Sequence, residues 1–201
     1  MSYFFRARRA GVTMSVLMLS IVLIATLSGL QVPTLNLLGG GKSYVPVSVL
    51  LPLIGVAALM SFLTSVPAEM EMTAVRPVRR YEATVITGSI ALVIGIGALL
   101  TFSGFHVHAF AAARNLTGYL GLAIVGQKLL GRHAAIILPV IFAFVCMTAG
   151  RRPGGYPWPW AWPLFESRHV PALVIATACC LTGLLLLASA VRPIRRPKDA
   201  P

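Results

Sequence analysis

Residues 83–102 read ATVITGSIALVIGIGALLTF, a run of twenty with no charged side chain. At 1.5 Å per residue a helix of that length is about 30 Å long, the thickness of a bilayer's hydrocarbon core. The run is apolar all round. A barrel strand would instead alternate apolar and polar residues at every second position. Comparable runs occupy 10–31, 45–66, 108–127, 134–149 and 170–191. They predict an all-α, polytopic bundle of six spans, forming one transmembrane domain over 1–201. The run 134–149 is short, about 24 Å as a helix, so it borrows flanking residues or thins the bilayer locally. The run 108–127 is the least apolar because Arg114-Asn115 lies inside it. Lifting it out of the membrane gives a five-span alternative.

Composition agrees. The chain is 57% hydrophobic and 11% charged, with mean hydropathy +0.84, whereas a soluble domain carries about 25% charged residues. The net charge of +12 does not indicate nucleic acid, because the basic residues flank the apolar runs and form no continuous stripe. The odd cysteine count (Cys146, Cys179, Cys180) argues against a disulfide framework and for buried thiols. The first run is too long for a signal-peptide core and is read as retained.

Lysine and arginine placement orients the bundle. With the amino terminus inside, the cytoplasmic faces collect Arg6, Arg8, Arg9, Arg76, Arg79, Arg80, Lys128, Arg132, Arg192, Arg195, Arg196 and Lys198. The outer faces collect Lys42, Arg151, Arg152 and Arg168. Both termini are therefore expected in the cytoplasm. The segment 31–44, with Gly39-Gly40-Gly41, reads as a short flexible outer turn. The loop 150–169 carries Tyr156, Trp158, Trp160, Trp162 and Phe165 among four prolines, and indole rings favour the headgroup level.

The same orientation puts a polar island in the cytoplasm: SVPAEMEMTAVRPVRRYE, residues 65–82. Three of the chain's five acids lie here, with three arginines close by. Ser65 suits an N-cap, Pro67 a first turn, and Glu69 and Glu71 the positive end of a helix dipole. Pro77 ends such a helix after about ten residues. Met70 and Ala74 share a face, and methionine packs adaptably against a partner's groove. A solvated loop whose arginines only enforce topology is the plainer alternative.

Glu69–Arg80 resembles the cytoplasmic segment after the second span in permeases of type-2 ABC exporters. In that family a run of the form E-x-x-L/M-x-x-x-x-P-V-x-R precedes the third span, as a coupling helix seated in the ATP-hydrolysing subunit. The resemblance implies that Glu69, Met70, Glu71, Met72, Arg76, Pro77, Arg79 and Arg80 dock a separate ATP-binding subunit. A second stretch, Ala113-Arg114-Asn115-Leu116-Thr117-Gly118-Tyr119-Leu120-Gly121-Leu122 with Leu130-Gly131-Arg132 and Leu138-Pro139, is similar to the fourth and fifth spans of small actinobacterial six-span permease-like proteins. The chain departs from the exporter family in its short lead, Met1–Arg9, and in having no large outer domain. What the resemblance implies is a non-enzymatic permease subunit in a bacterial plasma membrane. It would bind no cofactor itself, with ATP on the partner, and would pair with a second copy or a paralogous permease. A non-transporting anchor or assembly subunit is the alternative.

Other residues have side chains capable of chemistry. An arginine at membrane depth costs about 2.5–3.5 kcal/mol on insertion scales and is a functional candidate by default. Arg114 and Asn115 are therefore assigned to a pathway or to lipid contact. Arg114 lies roughly 9 Å below the outer end of its run, so snorkelling would relieve part of the cost. His106 and His108 are two residues apart, not the i,i+4 spacing that puts metal ligands on one helix face. An intramembrane lipid-modifying enzyme would have to draw on His106, Arg114 and Glu166. Gly88, Gly95 and Gly97, with Gly118, Gly121 and Gly126, form no G-x-x-x-G pair and read as packing positions. Gly39-Gly40-Gly41-Lys42-Ser43 lacks the first glycine of a P-loop at its spacing.

Overall fold

A computed structural model describes residues 10–27, 30–37, 41–64, 78–104 and 108–189. The fold is mostly helical. In chain order it comprises α1 (Ala10–Leu27), β1 (Gln31–Asn36), β2 (Gly41–Pro46), a 3-10 turn (Val47–Val49), α2 (Leu51–Thr64) and α3 (Val78–Phe102). There follow α4 (Ala109–Leu130), α5 (Ala134–Ala149), a second 3-10 turn (Trp162–Leu164) and α6 (Val170–Ser189). Each of the six apolar runs thus becomes one helix.

The boundaries follow local chemistry. The expected run at 45–66 starts as a helix only at Leu51, because Val45 and Pro46 finish β2. Pro52 falls in the first turn of α2, where its missing N–H is no loss. Pro139 lies inside α5 without ending it, at the expense of the bond its N–H would give to the carbonyl of Ala135. Helix α3 begins five residues before its apolar run, since Val78 to Glu82 continue the helix into polar sequence.

The segment expected to be a flexible turn is a β-hairpin. β1 and β2 pair antiparallel, with Val32 opposite Val45 and Thr34 opposite Ser43. Alternation explains its two faces. Val45 is buried, while Gln31, Pro33 and Tyr44 are exposed. The hairpin is fastened to the bundle. Leu37 N–H donates to the carbonyl of Thr148 at 2.9 Å, while the bond from Val47 N–H to the Leu30 carbonyl, at 3.0 Å, extends the hairpin's own ladder. Val45 and Val49 pack with Cys146, Met147, Ala161 and Leu164. Gly41-Lys42-Ser43 therefore opens a strand, with no helix behind it to cradle a phosphate.

Helix α4 is the centre, packed by α2, α3, α5 and α6, with α1 lying mainly along α2. Its Leu116, Tyr119, Leu120, Ala123 and Ile124 are fully buried. The crossing with α6 is close because Gly121 has no side chain: a Cβ there would run into the backbone of Cys179 and Cys180. The helix that a five-span scheme would remove is the one on which the others pack.

The outer helices show the reverse. Leu99 is 69% exposed, Phe144 64% and Leu185 69%. On α5, Ile136, Ile137, Val140, Ile141, Phe144 and Val145 form one exposed apolar face. Two helices carry stretches long and apolar enough to cross a membrane, Thr84–Phe102 in α3 and Val170–Leu187 in α6.

Candidate functional site

The polar residues of α4 converge on the long loop between α5 and α6. Arg114 is 1% exposed and Asn115 fully buried. Arg114 donates from Nη1 to the carbonyl of Glu166 at 2.9 Å. From Nη2 it donates to the carbonyls of Phe165 at 2.8 Å and Trp162 at 3.2 Å. Asn115 Nδ2 donates to the carbonyl of Pro163 at 3.1 Å and, at 3.4 Å, to that of Ser48. Asn115 Oδ1 in turn accepts from Nε and Nη2 of Arg114, each at 3.4 Å.

This pair solves a specific problem. The segment 161–165 folds back into the bundle, with Ala161, Trp162, Pro163 and Leu164 all buried. Its backbone makes only the short bonds of the 3-10 turn, Leu164 N–H to Ala161 and Phe165 N–H to Trp162, so acceptor capacity remains on its carbonyls, and a buried carbonyl left unpaired costs about 1–3 kcal/mol. Four of them, at Trp162, Pro163, Phe165 and Glu166, receive donors from two adjacent residues of α4. The planar five-donor fork of arginine suits the task, since one guanidinium reaches three carbonyls at once.

Trp162 fits the same place sterically. Its ring rests where Gly118 leaves room, and a Cβ at that position would collide with the indole. Tyr119 meets the ring at a tilt, with centroids 5.3 Å apart, and Phe142 stacks on it at 5.8 Å. Tyr119 Oη is buried without a hydrogen-bond partner among the described residues.

The remainder of the loop is differently placed. Gly154 and Gly155 adopt positive φ in the tight turn that Arg152 and Tyr156 close, Arg152 N–H donating to the Tyr156 carbonyl at 2.9 Å. The guanidinium of Arg152 lies over the Trp158 ring at 4.2 Å. Arg151 Nη2 donates to the carbonyl of Tyr44 at 3.0 Å and ties loop to hairpin. Partial burial lowers the Arg151 pKa from its ordinary value. Tyr156 and Trp160 are exposed, whereas Trp162, expected with them at the headgroup level, is a core residue.

Of the residues expected to dock an ATP-binding subunit, Glu69, Met70, Glu71, Met72, Arg76 and Pro77 lie outside the described residues. Arg79 and Arg80 fall on the first turn of α3, where the backbone is described. Arg114 and Asn115, expected at a pathway or lipid, are turned to the loop carbonyls. His106 lies outside the described residues. His108 precedes the first turn of α4. His169 accepts the Ala172 N–H at Nδ1, 3.3 Å away, and stacks on Phe165 with centroids 3.9 Å apart. No group of three potential metal ligands occurs among the described residues.

Sequence reasoning missed the carbonyls of Trp162, Phe165 and Glu166 as partners of Arg114, and that of Pro163 as the partner of Asn115. They lie 48–52 residues away in a proline-rich loop without periodicity. The available signal was the arginine itself, since a buried charge with no acid nearby in its helix requires acceptors from elsewhere. No family model matches the chain, and no curated protein or solved structure matches it either.

Proposed function

We propose that the chain is a multi-pass subunit of a larger assembly in a bacterial plasma membrane, with all six helices in the bilayer and both termini cytoplasmic. One observation carries the reading: the bundle is apolar outside and holds its polar side chains within. Leu99, Phe102, Ile141, Phe144 and Leu185 face outward, while Arg114, Asn115 and Thr117 are buried at the centre. Soluble monomers rarely leave contiguous apolar surface of that extent exposed. Intramembrane charges, by contrast, usually face a bundle interior and pair there with backbone carbonyls.

The sharper form of the proposal is a permease-type half-unit. A separate ATPase would seat on 65–82, and the pathway would lie between this chain and a second copy or a paralogous permease. The resemblance of Glu69–Arg80 to a coupling helix supports it. The filled interior supports a pathway between chains, because Arg114, Tyr119 and Trp162 occupy the middle of this one.

A static anchor or assembly subunit is the second reading. It is favoured by the loop's attachment, which holds α4, the loop before α6 and the 47–49 turn together. Alkaline carbonate extraction of cell membranes tests the embedding: the chain is expected to stay in the membrane pellet, and release into the supernatant contradicts it. Co-expression with candidate ATPases tests the coupling. Reversing the charges of Glu69, Glu71 and Arg80 is expected to abolish co-purification. Unchanged co-purification rules out the dock. Co-purification with an ATPase rate indifferent to this subunit favours the anchor.

A further inference from the structure

The groove between the ends of α3, α4 and α6 has no part in the reading above. It encloses about 210 Å³ and is lined by Thr101, Phe102, Phe110, Arg168, Val170 and Leu173. Phe102 and Val170 are 83% and 66% exposed, so this apolar trough is open to the surroundings. Drug-sized ligands occupy roughly 300–1,000 Å³, so a trough of this size takes only part of a ligand.

Arg168 is exposed, and among the described residues nothing pairs with its guanidinium. Its neighbours are otherwise engaged. His169 accepts the Ala172 N–H and stacks on Phe165, while the carbonyl of Glu166 takes the Arg114 donor and the His169 N–H. The Glu166 side chain does not line the groove. The free charge here is therefore a cation at one end of a hydrocarbon trough.

We propose that the groove binds a phospholipid, with a segment of acyl chain in the trough and the phosphate on Arg168. The proposal rests on the membrane-embedded reading. Charge complementarity selects the occupant. A neutral apolar ligand would leave Arg168 unpaired, and a free anion would leave the trough unfilled. A guanidinium pairs with phosphate oxygens in a two-pronged, charge-assisted geometry. Arg168 lies two residues before α6 begins, and α3 ends at Phe102. With those helices across a bilayer, that is the level of the headgroups.

Native mass spectrometry of the full chain, extracted from membranes and supplied with dioleoyl phosphatidylglycerol, tests the proposal. Wild-type protein is expected to retain the lipid, and millimolar inorganic phosphate is expected not to displace it. Arg168→Gln is expected to retain it about tenfold less well, the order of one lost charge-assisted contact. Leu173→Trp, which fills the trough, is expected to reduce retention similarly while helicity stays unchanged. Equal retention by wild type and both variants overturns the lipid site, as does displacement by inorganic phosphate, which would mark a site for a free anion. Cross-linking of a second copy through the groove overturns it as well. A chain recovered from the soluble fraction overturns the membrane reading and this proposal together, whereas the other failures leave the membrane reading standing.

Discussion

Helices α4 and α3 distribute polar and apolar residues in opposite ways. Helix α4 contains Arg114, Asn115, Thr117 and Tyr119 and is the least apolar of the six, yet most of its residues are buried. Helix α3 carries twenty consecutive uncharged residues, yet Leu92, Leu99 and Phe102 are exposed, and Ile86, Ser89 and Val93 are its buried contacts. In water the arrangement would be inverted, since burying α3 and solvating Arg114 would both lower the free energy. On the proposed membrane reading, the medium around the bundle is hydrocarbon. In such a medium the interior is where polar groups find partners, and packing has to come from shape.

The largest effects are expected at the centre. Trp162→Ala removes the ring between Gly118, Tyr119 and Phe142 and should cost about 3–5 kcal/mol, read as a lower midpoint for loss of helicity in mixed micelles. Arg114→Met keeps much of the volume but strands the carbonyl of Phe165 and takes one of two donors from those of Trp162 and Glu166. A loss of about 3 kcal/mol is expected. A red shift in tryptophan emission should accompany it as the loop detaches. Arg114→Lys should recover only part, because a single ammonium cannot reproduce the three-way fork.

Helix α3 gives the sharper contrast. Leu92 is 43% exposed and sits near the middle of the apolar stretch Thr84–Phe102. In a water-facing helix Leu92→Asp would change stability by no more than about 0.5 kcal/mol. At the centre of a bilayer it should cost about 2.5–3.5 kcal/mol, read as impaired membrane insertion. Normal insertion of the variant would break the contrast between the helices. The smallest effect is expected from Tyr119→Phe. The hydroxyl is buried without a partner among the described residues, so its removal should be neutral or stabilising by about 1 kcal/mol.

Hydropathy located the helices because apolar length is a local property. The run 134–149 coincides with α5, and the run 170–191 and α6 begin together at Val170. Three features are not legible in hydropathy. Gly39-Gly40-Gly41 suggests a flexible turn where the chain forms a hairpin. Its signal was the alternation on either side, with Val32 and Val45 on one face and Pro33 and Tyr44 on the other. The attachment of Arg114 to the loop was not legible, because its acceptors are main-chain atoms and carry no residue-type signature. Trp162 departs from expectation for a related reason: indole chemistry suits an interface, and only the gap at Gly118 makes this one a core residue.

The inversion of α4 and α3 can be measured directly by labelling native membranes with a lipid-soluble carbene reagent and mapping the modified residues. The expected pattern is dense labelling at Leu92 and Leu99 on α3 and along Ile137, Ile141 and Phe144 on α5, with little on Leu116, Leu120 and Ile124 of α4. Labelling of α4 as strong as that of α3, or no labelling of α3 at all, would contradict the account.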